Sequence, residues 1–275
     1  MTVRLITLDL DGTLLTSDKR VSERNIRAVK SCIEKGIYVV PATGRTKSGL
    51  PDALREIPGV RYIISANGAS VEDMETGGIL VRRSIFWKDA MRIIDLVRPY
   101  PVMYDSYIEG MGKIENRFLE TLGEYVKKPE LIKLIRNTRT GLPDLKEFIG
   151  EHHPAVDKIN VTFKEEDTRK KLRGILEAEQ ELSVASSVPN NLELNSKEAS
   201  KGSGLKFLTE YLHLKQEETM AFGDEENDLS MIMQAGFGVA MENAVPAVKA
   251  QADFVTDSND DDGVASAIEK FVLSF

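Results

Sequence analysis

The sequence predicts an α/β fold: a doubly wound, Rossmann-like parallel sheet with a second, α+β domain inserted into it. Short apolar runs alternate with amphipathic helical segments at both ends of the chain, which is typical of parallel β-helix-β units. The middle of the chain, 83–188, follows a more antiparallel pattern, and Gly77-Gly78 just before it is a hairpin signal. We therefore expect a core domain built from 1–82 and 189–275 and an inserted domain at 83–188, with the paired Arg82-Arg83 and Pro189 marking its boundaries.

The N-terminal elements follow one another in the order that a parallel sheet requires. Val3–Leu8 is an apolar run rich in β-forming residues and predicts the first strand. Ser22 is placed to cap a helix that runs to about Lys35, and Gly36 stands where a helix-ending glycine is expected. Two further short apolar runs predict strands, Ile37–Ala42 and Tyr62–Ser65.

The inserted region and the C-terminal part are predicted from the same periodicities. A helix that begins near Trp87 is broken by Pro99 and Pro101, and 164–180 predicts a charged helix with a narrow apolar stripe. The alternation then returns. Its expected elements are helix Leu205–Leu214, strand Thr219–Phe222, helix Asp228–Gln234, strand Phe237–Met241, helix Val245–Ala250, strand Phe254–Thr256 and helix Val264–Leu273.

Composition and charge exclude several classes of protein. The 275 residues are 41% hydrophobic and 29% charged, which supports a folded core and excludes whole-chain disorder. The net charge of −8 makes a nucleic-acid partner unfavourable. Cys32 is the one cysteine, so no intrachain disulfide forms, and no apolar run approaches the roughly 18 residues of a membrane span. We expect a cytoplasmic protein with no membrane partner, a monomer or weak homodimer.

The most specific signal is a pair of aspartates directly after the first strand. Asp9 and Asp11 are two residues apart, and Gly12 lets the loop between strand and helix turn tightly. Ligands of a parallel sheet bind beyond the carboxyl ends of its strands, so the Asp9 carboxylate is expected to face that crevice. Two carboxylates this close repel each other unless one is protonated or a cation lies between them, and Mg²⁺ suits an all-oxygen site. The alternative is an ordinary Asp-Gly turn.

Two polar segments follow the second and third strands. Thr43-Gly44-Arg45 offers a hydroxyl and a close backbone approach that suit a phosphate oxygen, although Thr43 also suits a helix N-cap. Asn67-Gly68 lies at the expected carboxyl edge of the third strand, where a substrate-facing role and a plain turn are both consistent with the sequence.

A second acidic segment and a lysine complete the candidate site. Asp224 follows a strand, and Glu225, Glu226 and Asp228 come within the next four positions, which is a costly charge density without a cation. An acid-rich first helical turn accounts for the two glutamates more easily than for the two aspartates. Lys201 precedes a helix; alone it reads as a surface lysine, but together with the acids it offers a positive charge to the site.

Four segments together resemble the motifs of the haloacid dehalogenase superfamily, and more narrowly its Cof-type phosphatases with a type IIB cap. They are DLDGT at 9–13, ATGR at 42–45, SKG at 200–202 and GDEENDLSM at 223–231, supported by NGA at 67–69 and FGVAMENA at 237–244. The resemblance covers the whole expected core, and the insertion at 83–188 corresponds to the cap in placement and length.

The resemblance implies a mechanism and assigns residues to it. Asp9 would attack phosphorus to give an aspartyl-phosphate, and Asp11 would protonate the leaving alcohol and then activate water. Asp9, the backbone carbonyl of Asp11, and Asp224 would hold Mg²⁺, with Asp228 supporting that site from just outside. The residues that would contact the phosphoryl group or the rest of the substrate are Leu10 through its backbone, Thr43, Gly44, Arg45, Asn67, Lys201 and Asn227.

The function expected from this resemblance is Mg²⁺-dependent hydrolysis of small phosphorylated metabolites, with sugar phosphates as the leading class. A phosphomutase of the phosphomannomutase kind would share the core and return the phosphoryl group to substrate. A non-catalytic aspartyl-phosphate switch is the alternative from another class, but receiver domains of that kind have about half this length and do not need the second acid or the insertion.

Overall fold

Strands and helices alternate along the chain in the computed structural model, which describes residues 2–55 and 57–274, so 1, 56 and 275 of the expected core domain lie outside it. In chain order the strands are β1 Leu5–Leu8, β2 Tyr38–Pro41, β3 Tyr62–Ser65, β4 Ser70–Asp73, β5 Ile79–Arg82, β6 Val102–Ile108, β7 Met111–Glu115, β8 Arg139–Leu142, β9 Val156–Phe163, β10 Leu182–Ala185, β11 Asn191–Ser196, β12 Thr219–Gly223, β13 Phe237–Ala240 and β14 Phe254–Val255. The helices are α1 Glu23–Glu34, α2 Asp52–Arg55, α3 Trp87–Val97, α4 Asn116–Glu120, α5 Leu122–Tyr125, α6 Pro129–Thr138, α7 Leu145–His152, α8 Glu166–Glu177, α9 Lys201–Tyr211, α10 Leu229–Gln234, α11 Pro246–Gln251 and α12 Gly263–Ile268.

Helix α1 shows why the local sequence forms these elements. The Ser22 hydroxyl accepts a hydrogen bond from the backbone N–H of Asn25, a cap worth about 1 kcal/mol. Gly36 follows the helix with a φ of 77°, which glycine adopts without strain. The buried face includes Val29 and Cys32, and burial raises the pKa of the Cys32 thiol to about 12. The helix predicted from Ser22 to about Lys35 is confirmed.

A five-stranded parallel sheet forms the centre of the core, in the order β14-β13-β12-β1-β2. All four residues of β1 are buried, because this strand has neighbours on both sides. Helices α1 and α12 pack against each other, and α9, α10 and α11 form a second group. The predicted α/β class with a parallel sheet is confirmed. Since β1 and β12 are parallel neighbours, the residues that follow them meet at one edge.

The expected third strand of that sheet has a different partner. β3 pairs antiparallel with β4 in a separate three-stranded sheet, β3-β4-β5. A bridge between Ala42 and Ile64, with the Thr43 N–H donating to the Ile64 carbonyl at 2.8 Å, links β3 to the end of β2. The turn before β5 contains Gly77-Gly78, so the predicted hairpin is confirmed, and β3 extends this hairpin to a three-stranded sheet.

The chain divides into two units, one of Met1–Arg45, Leu50–Val81 and Ser200–Phe275 and the other of Thr46–Gly49 and Arg82–Ala199. The second unit therefore extends past the boundary expected at 188. The reason is β11, which pairs antiparallel with β9 and is an integral strand of the second unit's sheet. Pro189 lies in the turn between β10 and β11 and does not mark the end of the inserted region.

The second unit contains a six-stranded sheet in the order β10-β11-β9-β6-β7-β8. Its pairs are antiparallel except for β7 with β8. Helices α3, α7 and α8 pack against this sheet, and each unit has its own cluster of buried apolar side chains. Among the described residues, no helix combines the length and apolar character that a membrane span requires.

Candidate active site

Asp9 and Lys201 form the centre of a buried charged cluster in the first unit. Asp9 directly follows β1, and its N–H donates to the Phe222 carbonyl of β12 at 3.0 Å. Lys201 is the first residue of α9, and its side chain is 0% exposed. Its Nζ donates to Asp9 Oδ1 at 2.5 Å and to Asp228 Oδ1 at 2.6 Å. The lysine that the sequence placed near the acids is therefore in direct contact with two of them.

Asp224 and Asp228 complete the cluster from the segment after β12. The Thr13 hydroxyl donates to Asp224 Oδ1 at 2.7 Å. Asp228 Oδ2 accepts the backbone N–H groups of Asp224 and Glu225 at 2.9 and 3.0 Å. Together with the Lys201 bond, these contacts bind both oxygens of Asp228 to N–H donors, which suits a supporting role behind the other two aspartates.

A glycine is required where the two acidic segments meet. Gly12 has a φ of 87°, and a Cβ there would lie 2.2 Å from Asp224 Oδ2. The backbone of the Asp-Gly turn thus passes directly over the second acidic segment. A side chain at this position would both strain the backbone and displace the Asp224 carboxylate.

The cluster has more negative than positive charge, and this fits a metal site. Asp9, Asp224 and Asp228 each offer a carboxylate oxygen, and these oxygens lie within 4.8 Å of one another. Burial and the Asp228 carboxylate raise the pKa of Asp9, and burial and the Asp9 carboxylate raise the pKa of Asp224. A carboxyl group that stays protonated above its usual pH range has too little positive charge beside it. A hard divalent cation with oxygen ligands supplies that charge.

Asp11 lies outside this cluster and is bound by two cations. Arg45 donates from Nε to Oδ2 and from Nη2 to Oδ1, both at 2.7 Å, and Lys19 Nζ donates to Oδ1 at 2.7 Å. Burial alone would raise the pKa of Asp11, but the two cations outweigh it and lower the pKa to about 2. In this arrangement Asp11 is a carboxylate, so it must leave Arg45 and Lys19 before it can hold a proton for a leaving group.

The polar residues after β2 and β3 form a third group. Thr43 is buried, and its hydroxyl accepts the Arg45 N–H at 3.1 Å. Asn67 is also buried, and its Oδ1 accepts a hydrogen bond from Asn227 Nδ2 at 3.1 Å. The Asn67 N–H donates to the Thr43 carbonyl at 3.0 Å. Residues from the ends of three strands, β2, β3 and β12, therefore meet here.

The loop that carries the first aspartates is held by residues to which the sequence assigned no individual role. Asn243 Nδ2 donates to the Gly12 carbonyl at 2.8 Å, and Asn259 Nδ2 donates to the Leu15 carbonyl at 2.9 Å. Asp260 accepts the Ser17 hydroxyl at 2.6 Å. The roles of Thr13 and Lys19 were also missed. Thr13 and Asn243 lie within the DLDGT and FGVAMENA segments, which was a usable signal, whereas Lys19 and Asn259 lie outside every motif.

The chain matches the family model described as haloacid dehalogenase-like hydrolase over residues 6–268. It is 32% identical to the 5-amino-6-(5-phospho-D-ribitylamino)uracil phosphatase YcsE of Bacillus subtilis, over 98% of this chain and 96% of that protein. It is 33% identical to the phosphatase YwpJ of the same organism, over 96% of this chain and 98% of that protein.

Solved structures of haloacid dehalogenase-like hydrolases are also similar to this chain. A haloacid dehalogenase-like hydrolase from B. subtilis superimposes with a TM-score of 0.87 at 30% identity, covering 98% of this chain and 100% of that chain. A haloacid dehalogenase-like hydrolase from Bacteroides thetaiotaomicron superimposes with a TM-score of 0.81 at 32% identity, covering 98% and 99%.

Proposed function

The chain belongs to the haloacid dehalogenase-like hydrolase family and is a Cof-type phosphatase, and from this premise we propose that it hydrolyses small phosphomonoesters with Mg²⁺ through an aspartyl-phosphate. The observation that carries the proposal is the buried cluster of Asp9, Lys201, Asp224 and Asp228, which combines a nucleophile, a fixed cation and a set of oxygen ligands. Perturbed carboxylates in such a cluster are typical of catalytic sites.

Asp9 is the nucleophile in this proposal. One carboxylate oxygen attacks phosphorus, the bond from phosphorus to the ester oxygen breaks, and the phosphoryl group is transferred to Asp9. Lys201 holds the Asp9 carboxylate in place through its bond to Oδ1 and offsets part of the repulsion between this anion and the phosphate. Water then attacks the aspartyl-phosphate, which releases inorganic phosphate and restores the carboxylate.

Asp11 transfers the protons. It gives one to the departing alkoxide in the first step and takes one from the attacking water in the second. Its ion pairs with Arg45 and Lys19 describe the state before substrate binds, and once these ion pairs are released Asp11 takes up from solvent the proton that it later donates. Arg45 is suited to exchange its carboxylate partner for the anionic substrate, because its planar guanidinium binds carboxylate and phosphate in the same forked geometry.

Asp9, Asp224 and the backbone carbonyl of Asp11 would hold the Mg²⁺, with Asp228 behind them. The donor set is all oxygen and its carboxylates are short of positive charge, so the residues fit this ion. When bound, Mg²⁺ neutralises charge on the phosphoryl oxygens and on Asp9.

The remaining predicted residues are assigned to the phosphate and to the rest of the substrate. Those that hold the phosphoryl oxygens in this proposal are the Leu10 backbone, Thr43, Gly44, Lys201 and Asn227, with Asn67 hydrogen-bonded to Asn227. Asp9, Asp224 and Asp228 all lie in the first unit. We assign to the second unit the cap role of choosing among leaving groups.

The experiment is a phosphate-release screen with the full chain and a panel of phosphorylated metabolites. The first substrate to test is 5-amino-6-(5-phospho-D-ribitylamino)uracil, because the relative YcsE, which aligns with 98% of this chain, is named as a phosphatase of this compound. Sugar phosphates are tested next. Release is expected with Mg²⁺ and not with EDTA. Ca²⁺ is expected to inhibit, because it takes more ligands at longer distances and can bind both oxygens of Asp9. Phosphate that moves to a second position of the substrate instead of appearing free would establish a mutase.

A further inference from the structure

The loop after β3 has an unusual backbone. Ala66, Asn67 and Gly68 have φ values of 47°, 58° and 89°, the longest run of left-handed residues in the part of the chain that the structure describes. Glycine adopts this conformation freely and asparagine adopts it more readily than most residues, but alanine does so only at a cost. Such conformations persist where the surroundings enforce them, and they concentrate at functional sites.

The loop is bonded first to the segment after β2. The Ala66 N–H donates to the Arg45 carbonyl at 2.8 Å, and the Asn67 N–H donates to the Thr43 carbonyl at 3.0 Å. These two carbonyls flank Gly44, so the loop determines the path of the backbone that carries Thr43 and Gly44. The left-handed turn is what lets consecutive N–H groups reach both of them.

The same loop touches two further segments. A Cβ on Gly68 would lie 2.0 Å from the Ser200 carbonyl oxygen and 3.2 Å from the Lys201 nitrogen, so the Gly68 backbone packs directly on the start of α9. Asn67 Oδ1 accepts the Asn227 side-chain amide at 3.1 Å. A loop of three residues therefore contacts each of the three segments that contribute Thr43, Lys201 and Asn227.

We propose that Ala66–Gly68 is a positioning loop that holds these three segments in register, and that Asn67 is a positioning residue that acts on phosphate through Asn227. The inference rests on the proposed function for the identity of the ligand. It differs from the expectation that Asn67 itself faces the substrate, because the Asn67 side chain is buried and its carbonyl oxygen accepts the Asn227 amide.

The first test is a double-mutant cycle on Asn67 and Asn227, with kcat/KM for p-nitrophenyl phosphate in Mg²⁺ as the readout. Asn67→Gly keeps the left-handed backbone and removes the acceptor, so it isolates the side chain. We expect Asn67→Gly and Asn227→Ala each to lower kcat/KM about 10- to 100-fold, and the double variant to lose no more than about threefold beyond Asn227→Ala. If Asn67→Gly costs as much in the Asn227→Ala background as alone, Asn67 acts independently of Asn227 and the inference is overturned; unchanged activity of Asn67→Gly overturns it too.

The second test addresses the backbone of the loop with a matched glycine. Gly68→Ala and Gly77→Ala both place a Cβ on a left-handed residue, but Gly77 has a φ of 73° and no heavy atom within 4 Å of the added carbon. We expect Gly68→Ala to lower kcat/KM at least about 10-fold more than Gly77→Ala, in preparations that are folded by circular dichroism. Equal activity of the two variants contradicts a positioning role for the contact with Ser200.

A third readout does not depend on activity, so failure of the proposed function and failure of this inference can be told apart. If the wild-type chain releases no phosphate, the proposed function fails. The side-chain amide signals of Asn227 in a ¹⁵N-labelled sample still report the contact. They are expected to shift in Asn67→Gly and to keep their positions in Gly77→Ala. Unshifted Asn227 signals in Asn67→Gly overturn the inference whatever the activity.

Discussion

Each unit buries a lysine side chain almost completely, Lys201 in the first and Lys158 in the second, with exposures of 0% and 1%. Lys201 contacts the carboxylates of Asp9 and Asp228, and the Asp224 carboxylate lies beside both. One ammonium group therefore faces three carboxylates. The excess of negative charge appears as raised pKa values of Asp9 and Asp224, for which burial is the first cause.

Lys158 lies in a balanced group. Its Nζ is 3.1 Å from Glu193 Oε1 and 4.8 Å from the centre of the Tyr107 ring. The Arg139 guanidinium lies 4.6 Å from the same ring, and its Nε donates to Asp105 Oδ1 at 3.3 Å. The charges of these two ion pairs sum to zero. Balance is what a structural group needs, whereas the imbalance around Lys201 fits the proposed uptake of a cation and a phosphate at that site.

The largest effect is expected at the centre of the unbalanced cluster. Asp9→Asn should lower phosphate release from p-nitrophenyl phosphate at least about 10⁴-fold, because an amide is a far weaker nucleophile and a poorer metal ligand. Asp73→Asn is the control, since Asp73 is a buried carboxylate of the same unit that pairs with Arg61 instead of the cluster. Activity of Asp9→Asn above about a tenth of wild type would remove Asp9 from the nucleophile role.

The two lysines provide the direct test of the comparison. Lys201→Met should lower kcat/KM for p-nitrophenyl phosphate about 10²- to 10³-fold, since a fixed cation beside the transferred phosphoryl group is lost. Lys158→Met should keep kcat/KM within about threefold but lower the free energy of unfolding by about 3 kcal/mol or more, because it removes the ammonium group that offsets the charge of the buried Glu193 carboxylate. Urea denaturation and steady-state kinetics separate the two outcomes. Equal losses of activity in both variants would show that charge balance does not distinguish the two sites.

Asp11 sharpens the comparison because it belongs to the site but not to the buried cluster. Asp11→Asn should lower hydrolysis of an alkyl phosphate such as ribose 5-phosphate about 10²-fold and that of p-nitrophenyl phosphate less than about 10-fold, since only the alkoxide needs a proton to leave. The ratio of kcat/KM for the two substrates is the measurement. An equal decrease for both would remove Asp11 from the general-acid role.

The sequence was sufficient for the centre of the acidic cluster because two of its aspartates directly follow strands. Asp9 and Asp224 come after β1 and β12, and neighbouring parallel strands bring such residues to one edge. Lys201 was identified only in combination with the acids. The ion pair between Lys19 and Asp11 was not predictable, since it depends on an irregular loop in which Lys19 itself has a φ of 60°.

The less successful predictions concern strand pairing, which the composition of a single strand does not determine. Tyr62–Ser65 forms the predicted buried strand, but its ladder is antiparallel with the hairpin that follows it, and the bridge between Ala42 and Ile64 joins it to the end of β2. Asn191–Ser196 was assigned to the core, because Pro189 suggested a boundary; its pairing with β9 decided otherwise. The contact between Asn67 and Asn227 joins residues 160 positions apart, and the local sequence of neither segment predicts it.

The smallest effect concerns the free energy of unfolding and follows from the raised pKa values of Asp9 and Asp224. The folded chain holds protons on Asp9 and Asp224 at pH values where the unfolded chain, with carboxyl pKa values near 3.8, has released them. Stability from this source is therefore present at low pH and lost as the pH rises toward the raised values. The lowered pKa of Asp11 acts in the opposite direction, but only below about pH 4, where its unfolded form takes up a proton.

Between about pH 5 and pH 8 without divalent cations, the free energy of unfolding should fall by about 1 to 3 kcal/mol. Asp224→Asn should flatten that slope, because the amide does not titrate, whereas Asp73→Asn should keep it. Millimolar Mg²⁺ should raise the stability more at pH 8 than at pH 5, since at low pH the ion must displace the protons that already offset the charge. Urea denaturation at several pH values, with EDTA or Mg²⁺, measures all three. A stability that is constant or rises over this range in EDTA would mean that the carboxylates around Lys201 are compensated without a cation, and the contrast with the balanced group around Lys158 would no longer hold.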